Sequence, residues 1–430
     1  MTSILTRQPK LNAPTICQLE NGLTIIASQM PVEAVNFNLW INVGSAKESN
    51  EINGMAHFLE HMVFKGTPNL EVGEFEQLIE ERGAVTNAAT SQDYTHYYIT
   101  TAPQDFAELA PLQLDVVLNP SLEDEAFERE KLVVLEEIRR SEDSPRRRTF
   151  YRSMETCFET LPYRRPVLGP AGVIENLRSP QMRNFHGAWY QPQSMTAAVV
   201  GNLPVEELIE IVSQSFEQHY SPREQYDQNI TPSVIPEQPF TEIVRQEYTD
   251  ESLQQARLVM VWRVPGMENL DQTYALDILA VILGQGKVSR LFRELREEKG
   301  LVNQIGVSNM TQTHQGAFYI SAALPGENIG EVEQAIARQI RTLQTEPIAA
   351  KDIERIRTQV ANRFVFANER PSDRANLYGY YYSQLQDLAP ALNYPQHIQA
   401  ISAEDLQQAA QKYLNPEAYG VVVMKPDNLS

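Results

Sequence analysis

The sequence predicts an α+β fold of two similar domains, each a mostly antiparallel sheet under a helical layer. Three observations predict it. The chain has 430 residues, room for two large domains or three ordinary ones. It also repeats itself once. FEQLIEERGAVTN (75–87) matches FRELREEKGLVNQ (292–304), with Gly83 and Gly300 lying 217 positions apart. Residues 175–202 match 399–426, with Tyr190 and Tyr413 lying 223 positions apart. Two matches in one order, at offsets near half the chain, mean a duplicated domain rather than a short-repeat solenoid. Finally, both halves mix strand and helix periodicity, with hairpin-like strand pairs among the alternating elements.

The elements follow in order. In the first half, apolar β-rich runs at 23–28, 34–44, 95–101 and 195–201 read as strands. Residues 55–65, 72–82 and 123–140 carry helical periodicity. In the second half, 256–264, 316–324 and 420–424 read as strands, and 272–283 and 330–345 as helices. Between the halves, prolines at 222, 232, 236 and 239 bar helix and central strand. The predicted division is therefore a domain over 1–220, an extended linker over 221–242 and a second domain over 243–430.

Composition excludes several classes. The chain is 42% hydrophobic and 21% charged, as in folded globular proteins. Lys plus Arg number 36 against 56 Asp plus Glu, a net charge of −20. Such a chain repels nucleic acid and attracts basic molecules. Cys17 and Cys157 cannot build a disulfide scaffold, and a reducing compartment is expected. The start MTSILTRQPK has no signal-like apolar core, and no run of 18 apolar residues occurs. A cytoplasmic chain without membrane contact is expected.

GMAHFLEHMVFKGTP (54–68) carries the chemistry. Ile52, Met55, Leu59 and Val63 make one helical stripe. Lys65 suits the last turn, Gly66 the C′ position, and Pro68 bars continuation. His57 and His61 are four apart, so both imidazoles leave one face where a single zinc ion can take them. Glu60 sits on the same side, within reach of a water at the metal. H-x-x-E-H is the inverted form of the H-E-x-x-H zinc motif. A catalytic zinc needs a third protein ligand and one open position. The helix around 123–143 offers Glu130 and Glu137, seven apart on one face, while Glu136 points about 100° away from Glu137.

With these residues the chain resembles the inverzincin metallopeptidases: pitrilysin, insulin-degrading enzyme and the mitochondrial processing peptidases. These carry a Glu about 75 residues after H-x-x-E-H and a helper Glu seven before it. The resemblance implies that Glu137 is the third ligand and Glu130 a supporting carboxylate. On the sequence alone Glu136 rivals Glu137. The similarity covers nearly the whole chain, including FKGT (64–67) and GAVTNAATSQDYTHYY. In the family the latter forms an edge strand that holds the substrate backbone, which points to Asn87 and Ala88. The implied activity is zinc-dependent endopeptidase action with one Zn²⁺ per chain. Glu60 would take a proton from the attacking water and pass it to the leaving amine. The alternative is a non-catalytic structural or binding subunit of the same fold.

The family pattern is also broken. Active relatives present an Arg and a Tyr, seven apart, as an oxyanion hole. Arg296 fits the first position, but Asn303 stands at the second. A two-domain chain of this kind resembles half of a clamshell, closed by a second copy or a paralogue. The expected partner is a second copy, or a paralogue supplying an intact Arg/Tyr pair. Arg374 and Tyr381 share the spacing but lie in the wrong stretch. Acidic residues that read a substrate Arg in mitochondrial members are replaced here by Arg146, Arg147 and Arg148, read as a solvated run. LGQGKVS (283–289) lacks the first Gly of a phosphate loop. His96, His186, His219, His314 and His397 are scattered and read as surface or strand residues, and the run 378–382 as packing.

Overall fold

The computed structural model describes residues 13–221 and 234–427. The start of the chain and 222–233 of the predicted linker lie outside them. The described residues form two compact units, an α+β fold.

The first unit draws on Met1–Ile138, Pro166–Pro232 and Arg363–Tyr394. Its strands are β1 (Thr15–Gln18), β2 (Thr24–Gln29), β3 (Val35–Ile41), β4 (Val85–Thr90), β5 (Thr95–Thr101) and β6 (Met195–Gly201). They lie in the order β1-β2-β6-β3-β5-β4. Only the β2–β6 pair is parallel. Every residue of β3 is buried, because the sheet is covered on both faces. Val35, Phe37, Leu39 and Ile41 enter the main core with Met55, Leu59 and Met62 of α1 (Met55–Met62). Along a strand successive side chains alternate, so Asn36, Asn38 and Trp40 face the other side. There the helix Pro371–Leu385 packs on β3 and β6. Asn38 Nδ2 donates to Asn376 Oδ1 of that helix at 2.5 Å.

The second unit draws on Arg139–Arg165, Ser233–Asn362 and Pro395–Ser430. Its strands are β7 (Val244–Thr249), β8 (Ala256–Pro265), β9 (Gln304–Met310), β10 (Gln315–Leu324) and β11 (Gly420–Lys425), ordered β7-β11-β8-β10-β9. Again one pair, β7–β11, is parallel. Apart from β1, each strand has its counterpart in the same place, which is the duplication seen in the sequence. α2 (Asp124–Asp143) is followed by α3 (Pro145–Cys157), which packs on β8 and β11.

The compact units do not follow the sequence halves. Arg139–Arg165 comes from the first half but belongs to the second unit, and Arg363–Tyr394 does the reverse. Each sheet needs a helix on its second face, and α3 and α4 (Pro371–Leu385) supply them. A sheet recruits that cover by apolar fit, not by chain order.

Several local expectations need correction. α1 ends at Met62, short of the predicted Lys65, because Lys65 N bonds to Met62 O in a tight i+3 turn. Gly66 is left-handed at φ 92°, but in the loop beyond that turn rather than at C′. The described part of the linker is pinned. The Glu237 carboxylate accepts from Glu159 N, Thr160 N and Leu161 N and pairs with Arg263 at 2.9 Å. Arg148 does not join a solvated run, since it is half-buried and paired with Asp250 at 2.5 Å. His186 is buried and hydrogen-bonded to Val117 O at 2.9 Å, not on the surface.

The fit of α4 to its sheet rests on Gly379. A Cβ there would lie 1.9 Å from Trp40 Nε1 and 2.2 Å from Cδ1. Gly379→Ala is expected to cost about 1–3 kcal/mol through overpacking, read as a lower Tm in thermal denaturation. An unchanged Tm would mean that α4 can shift freely on the sheet.

Candidate metal centre

α1 begins at Gly54, whose φ of 99° favours glycine and whose Cβ would fall 2.5 Å from Leu168 O. Met55, Phe58, Leu59 and Met62 are buried. That leaves His57 and His61 facing Glu130 and Glu137 of α2, and Glu60 facing Thr90 of β4.

On α2, Phe127, Val134 and Ile138 are buried, which turns Glu130 and Glu137 toward the histidines. His57 Nε2 lies 3.4 Å and His61 Nε2 3.5 Å from Glu137 Oε2. The ligand atoms of these three residues all lie within 4.8 Å of one another. Glu137, not Glu136, completes this group. His61 Nδ1 is 3.0 Å from Glu130 Oε1, and Lys65 Nζ is 2.8 Å from Glu130 Oε2. Glu130 thus engages the Nδ1 edge of the ring and leaves Nε2 to the group. The Glu137 side chain is 38% exposed against 10% for His57, so the group opens to solvent on the Glu137 side.

The charges follow from this geometry. Burial works against a charged His61, but its bonds to Glu130 and Glu137 outweigh it and push its pKa up to about 9. Hydrogen bonds from His57 and His61 hold Glu137 well below the usual carboxylate range. Burial opposes ionisation of Glu130, yet His61 and Lys65 lower it. Two imidazole nitrogens and a carboxylate oxygen are the donor set of a catalytic zinc site. Ligand atoms around a tetrahedral zinc at ~2.0–2.1 Å lie about 3.3 Å apart, close to the two spacings to Glu137.

Glu60 stands outside the donor group. Its Oε2 accepts from Thr90 Oγ1 at 2.5 Å. Thr90 ends β4, the edge strand of its sheet, which among the described residues pairs with β5 alone. Asn87 and Ala88 lie in β4, and the Asn87 side chain accepts from Ala88 N at 2.9 Å. Arg296 and Asn303 belong to the second unit and are exposed. Arg296 lies over Phe292, and Asn303 bonds Gln255. Arg374 of α4 donates to Asn368 O.

Sequence reasoning missed the site roles of three residues around α1, that of Lys65 being its pairing with Glu130. Lys65 sits one turn beyond His61, a spacing that could have revealed it. Thr90 meets Glu60 only through sheet register. Glu48 is a buried acid six residues before Gly54, and acids near a helix start are a readable signal.

Residues 23–171 match the model of the insulinase family, peptidase family M16, and 176–360 match that of the peptidase M16 inactive domain. An uncharacterised zinc protease of Rickettsia bellii is 27% identical over 416 residues, covering 96% of this chain and 98% of its own. Zinc protease PqqE of Helicobacter pylori is 27% identical over 415 residues, covering 95% and 92%. The crystal structure of a protease from Helicobacter pylori superposes with a TM-score of 0.90 at 27% identity, covering 96% of this chain and 99% of that one. An M16-like peptidase from Alicyclobacillus acidocaldarius gives 0.84 at 20% identity and shares the fold. Adjoining matches to two models of one family span most of the described residues, and the chain belongs to the inverzincin peptidase family M16.

Proposed function

We propose that this chain is a zinc-dependent endopeptidase acting on peptides or unfolded segments. The observation that carries this is the convergence of His57, His61 and Glu137 with Glu60 on the same helix. His57, His61 and Glu137 would hold one Zn²⁺, and Glu130 orients His61. When bound, zinc supplies a Lewis acid that polarises a peptide carbonyl and acidifies water. Glu60 takes a proton from the attacking water and hands it to the leaving amine, with Thr90 holding its carboxylate in place. The open edge of β4, with Asn87 and Ala88, suits an extended peptide added as a further strand and read through its main chain.

The test is metal analysis with cleavage of a mixed peptide library by the purified chain. About one zinc per chain is expected, with cleavage stopped by a chelator and restored by Zn²⁺. Chelator-insensitive cleavage, or no zinc, overturns the reading. A non-catalytic subunit of the same fold is the second reading. It draws on Asn303 and on the inactive-domain match of 176–360. The complete set of His57, Glu60, His61, Glu130 and Glu137 favours the enzyme.

The partner is proposed to be a second copy of this chain, or a paralogue with an intact Arg/Tyr pair, closing a chamber. Asn303 can donate a hydrogen bond but is shorter than Tyr. One well-placed oxyanion donor is worth about 10²–10³ in rate. The purified chain alone is therefore expected to be slow, and Asn303→Tyr to raise kcat without changing zinc content. If Asn303→Tyr slows a chain already turning over at ~10 s⁻¹, Asn303 is no deficit. Among the described residues no helix is long and apolar enough to cross a membrane. Cys17 and Cys157 are both free, which supports the cytoplasm, and cell fractionation tests it.

A further inference from the structure

We infer that Glu48 is a positioning residue of the metal centre: its buried carboxylate fixes the start of α1, and so His57, Glu60 and His61, against the β4–β5 hairpin. This rests on the zinc reading proposed above.

α1 has eight residues, about two turns, and Gly54 offers no side chain to cap it. Its first backbone N–H groups need acceptors from elsewhere. Glu48, 1% exposed, provides them. Its Oε2 accepts from Gly54 N and Asn53 Nδ2, both at 2.8 Å, and its Oε1 accepts from Ala56 N at 2.7 Å. Ala56 immediately precedes His57. The positive end of a helix favours the anion, and the three donors offset its burial.

The other end of this strut is equally defined. Ser45 N donates to Ser91 O at 3.2 Å and Ala46 N to Gln92 O at 2.8 Å. A Cβ on Gly44 would fall 2.3 Å from Ser91 O, so the two segments lie in close contact. Glu48 N in turn bonds Ser45 O at 3.4 Å. Residues 44–48 therefore tie the turn after β4 to the first turn of α1. The path closes on itself, since Glu60 of α1 bonds Thr90 at the end of β4. A helix anchored at both points holds its histidines at one height relative to Glu137 and holds Glu60 at one distance from the edge strand. Glutamine at position 48 keeps the shape but turns one acceptor into a donor facing a donor. One buried N–H is then left unpaired and α1 is free to tilt.

The experiment uses the full chain with Glu48→Gln. Zinc affinity is measured by chelator competition, Tm in the metal-free state, and kcat and KM on a peptide. Glu48→Gln is expected to weaken zinc about 10–100-fold, as loss of groups supporting a ligand does elsewhere, and to lower kcat more than KM. Gly379→Ala, on the opposite face of the sheet, is the comparison: it should lose Tm and keep zinc affinity. The inference is overturned if Glu48→Gln binds zinc as tightly as the wild type. It is equally overturned if Gly379→Ala, at a matched loss of Tm, loses affinity to the same extent. Should Glu48→Gln fail to fold, Asn53→Asp removes one donor and sets a like charge beside Glu48. It should weaken zinc in the same direction, and unchanged affinity overturns the inference. A wild-type chain that binds no zinc overturns the functional proposal itself. Tight zinc in both wild type and variants overturns the Glu48 inference alone.

Discussion

Glu60→Gln is expected to keep its zinc and lose nearly all turnover. Glu60 is not among the three residues whose ligand atoms converge, so its charge is not needed to hold the metal. Glutamine is isosteric and can still accept the Thr90 hydroxyl, so the loop around the site should not move. What disappears is the only function assigned to the carboxylate, carrying a proton between water and the leaving amine. General acid–base groups contribute about 10²–10⁴ in rate. Elemental analysis and peptide cleavage on one preparation measure both quantities. A Glu60→Gln chain cleaving at the wild-type rate would place the proton transfer elsewhere, and loss of zinc would make Glu60 a ligand.

His61→Ala should lose most of its zinc, because two donors remain where three are needed. It also strips Glu137 of one imidazole and leaves the Glu130–Lys65 pair with nothing to orient. Glu137→Gln should weaken zinc as well, whereas Glu136→Gln should not, since Glu136 lies outside the donor group. If elemental analysis found stoichiometric zinc in His61→Ala, the assignment of ligands would be wrong. The same site predicts a pH dependence. Without metal, His61 holds its proton up to about pH 9. A ligating imidazole must be neutral, so zinc displaces that proton. Glu137 is already ionised and adds no proton to the exchange near neutrality. Apparent zinc affinity should then rise with pH, by about tenfold per unit below 9. A flat profile between pH 6 and 8, in ~1 unit steps, would show that the Glu130 and Glu137 bonds do not keep His61 charged.

The legible part of this protein is periodic or local. Strands at 95–101 and 195–201 agree with β5 and β6 to the residue, because apolar β-rich runs bounded by turn residues have little freedom to be anything else. The start of α1 at Met55 agrees as well, while the other predicted helices begin one or two residues away from their observed starts. Helix ends fared less well: whether Lys65 continues α1 depends on a turn bond to Met62, which periodicity does not encode. The duplication was visible as two motif pairs and reappears as one strand order used twice, with its parallel pair in the same place.

At the site the division has the same cause. Helical geometry alone puts His57 and His61 on one face with Glu60 beside them, since residues four apart meet after one turn. The seven-residue spacing likewise puts Glu130 and Glu137 on one face of α2. Which face of α2 turns inward, and hence Glu137 over Glu136, is decided by burial of Phe127, Val134 and Ile138 in the core. Thr90 and Glu48 reach Glu60 and α1 through sheet register and a folded-back loop, contacts between residues 30 and 8 positions apart. The exchange of α3 and α4 between the halves is likewise invisible in order along the chain. The sequence by itself determined the two imidazole donors and the repeat, because both rest on local spacing along the chain. Only the tertiary structure decided which carboxylate joins the imidazoles, what anchors their helix, and which sheet each helix covers, because those choices depend on apolar packing between segments distant in sequence.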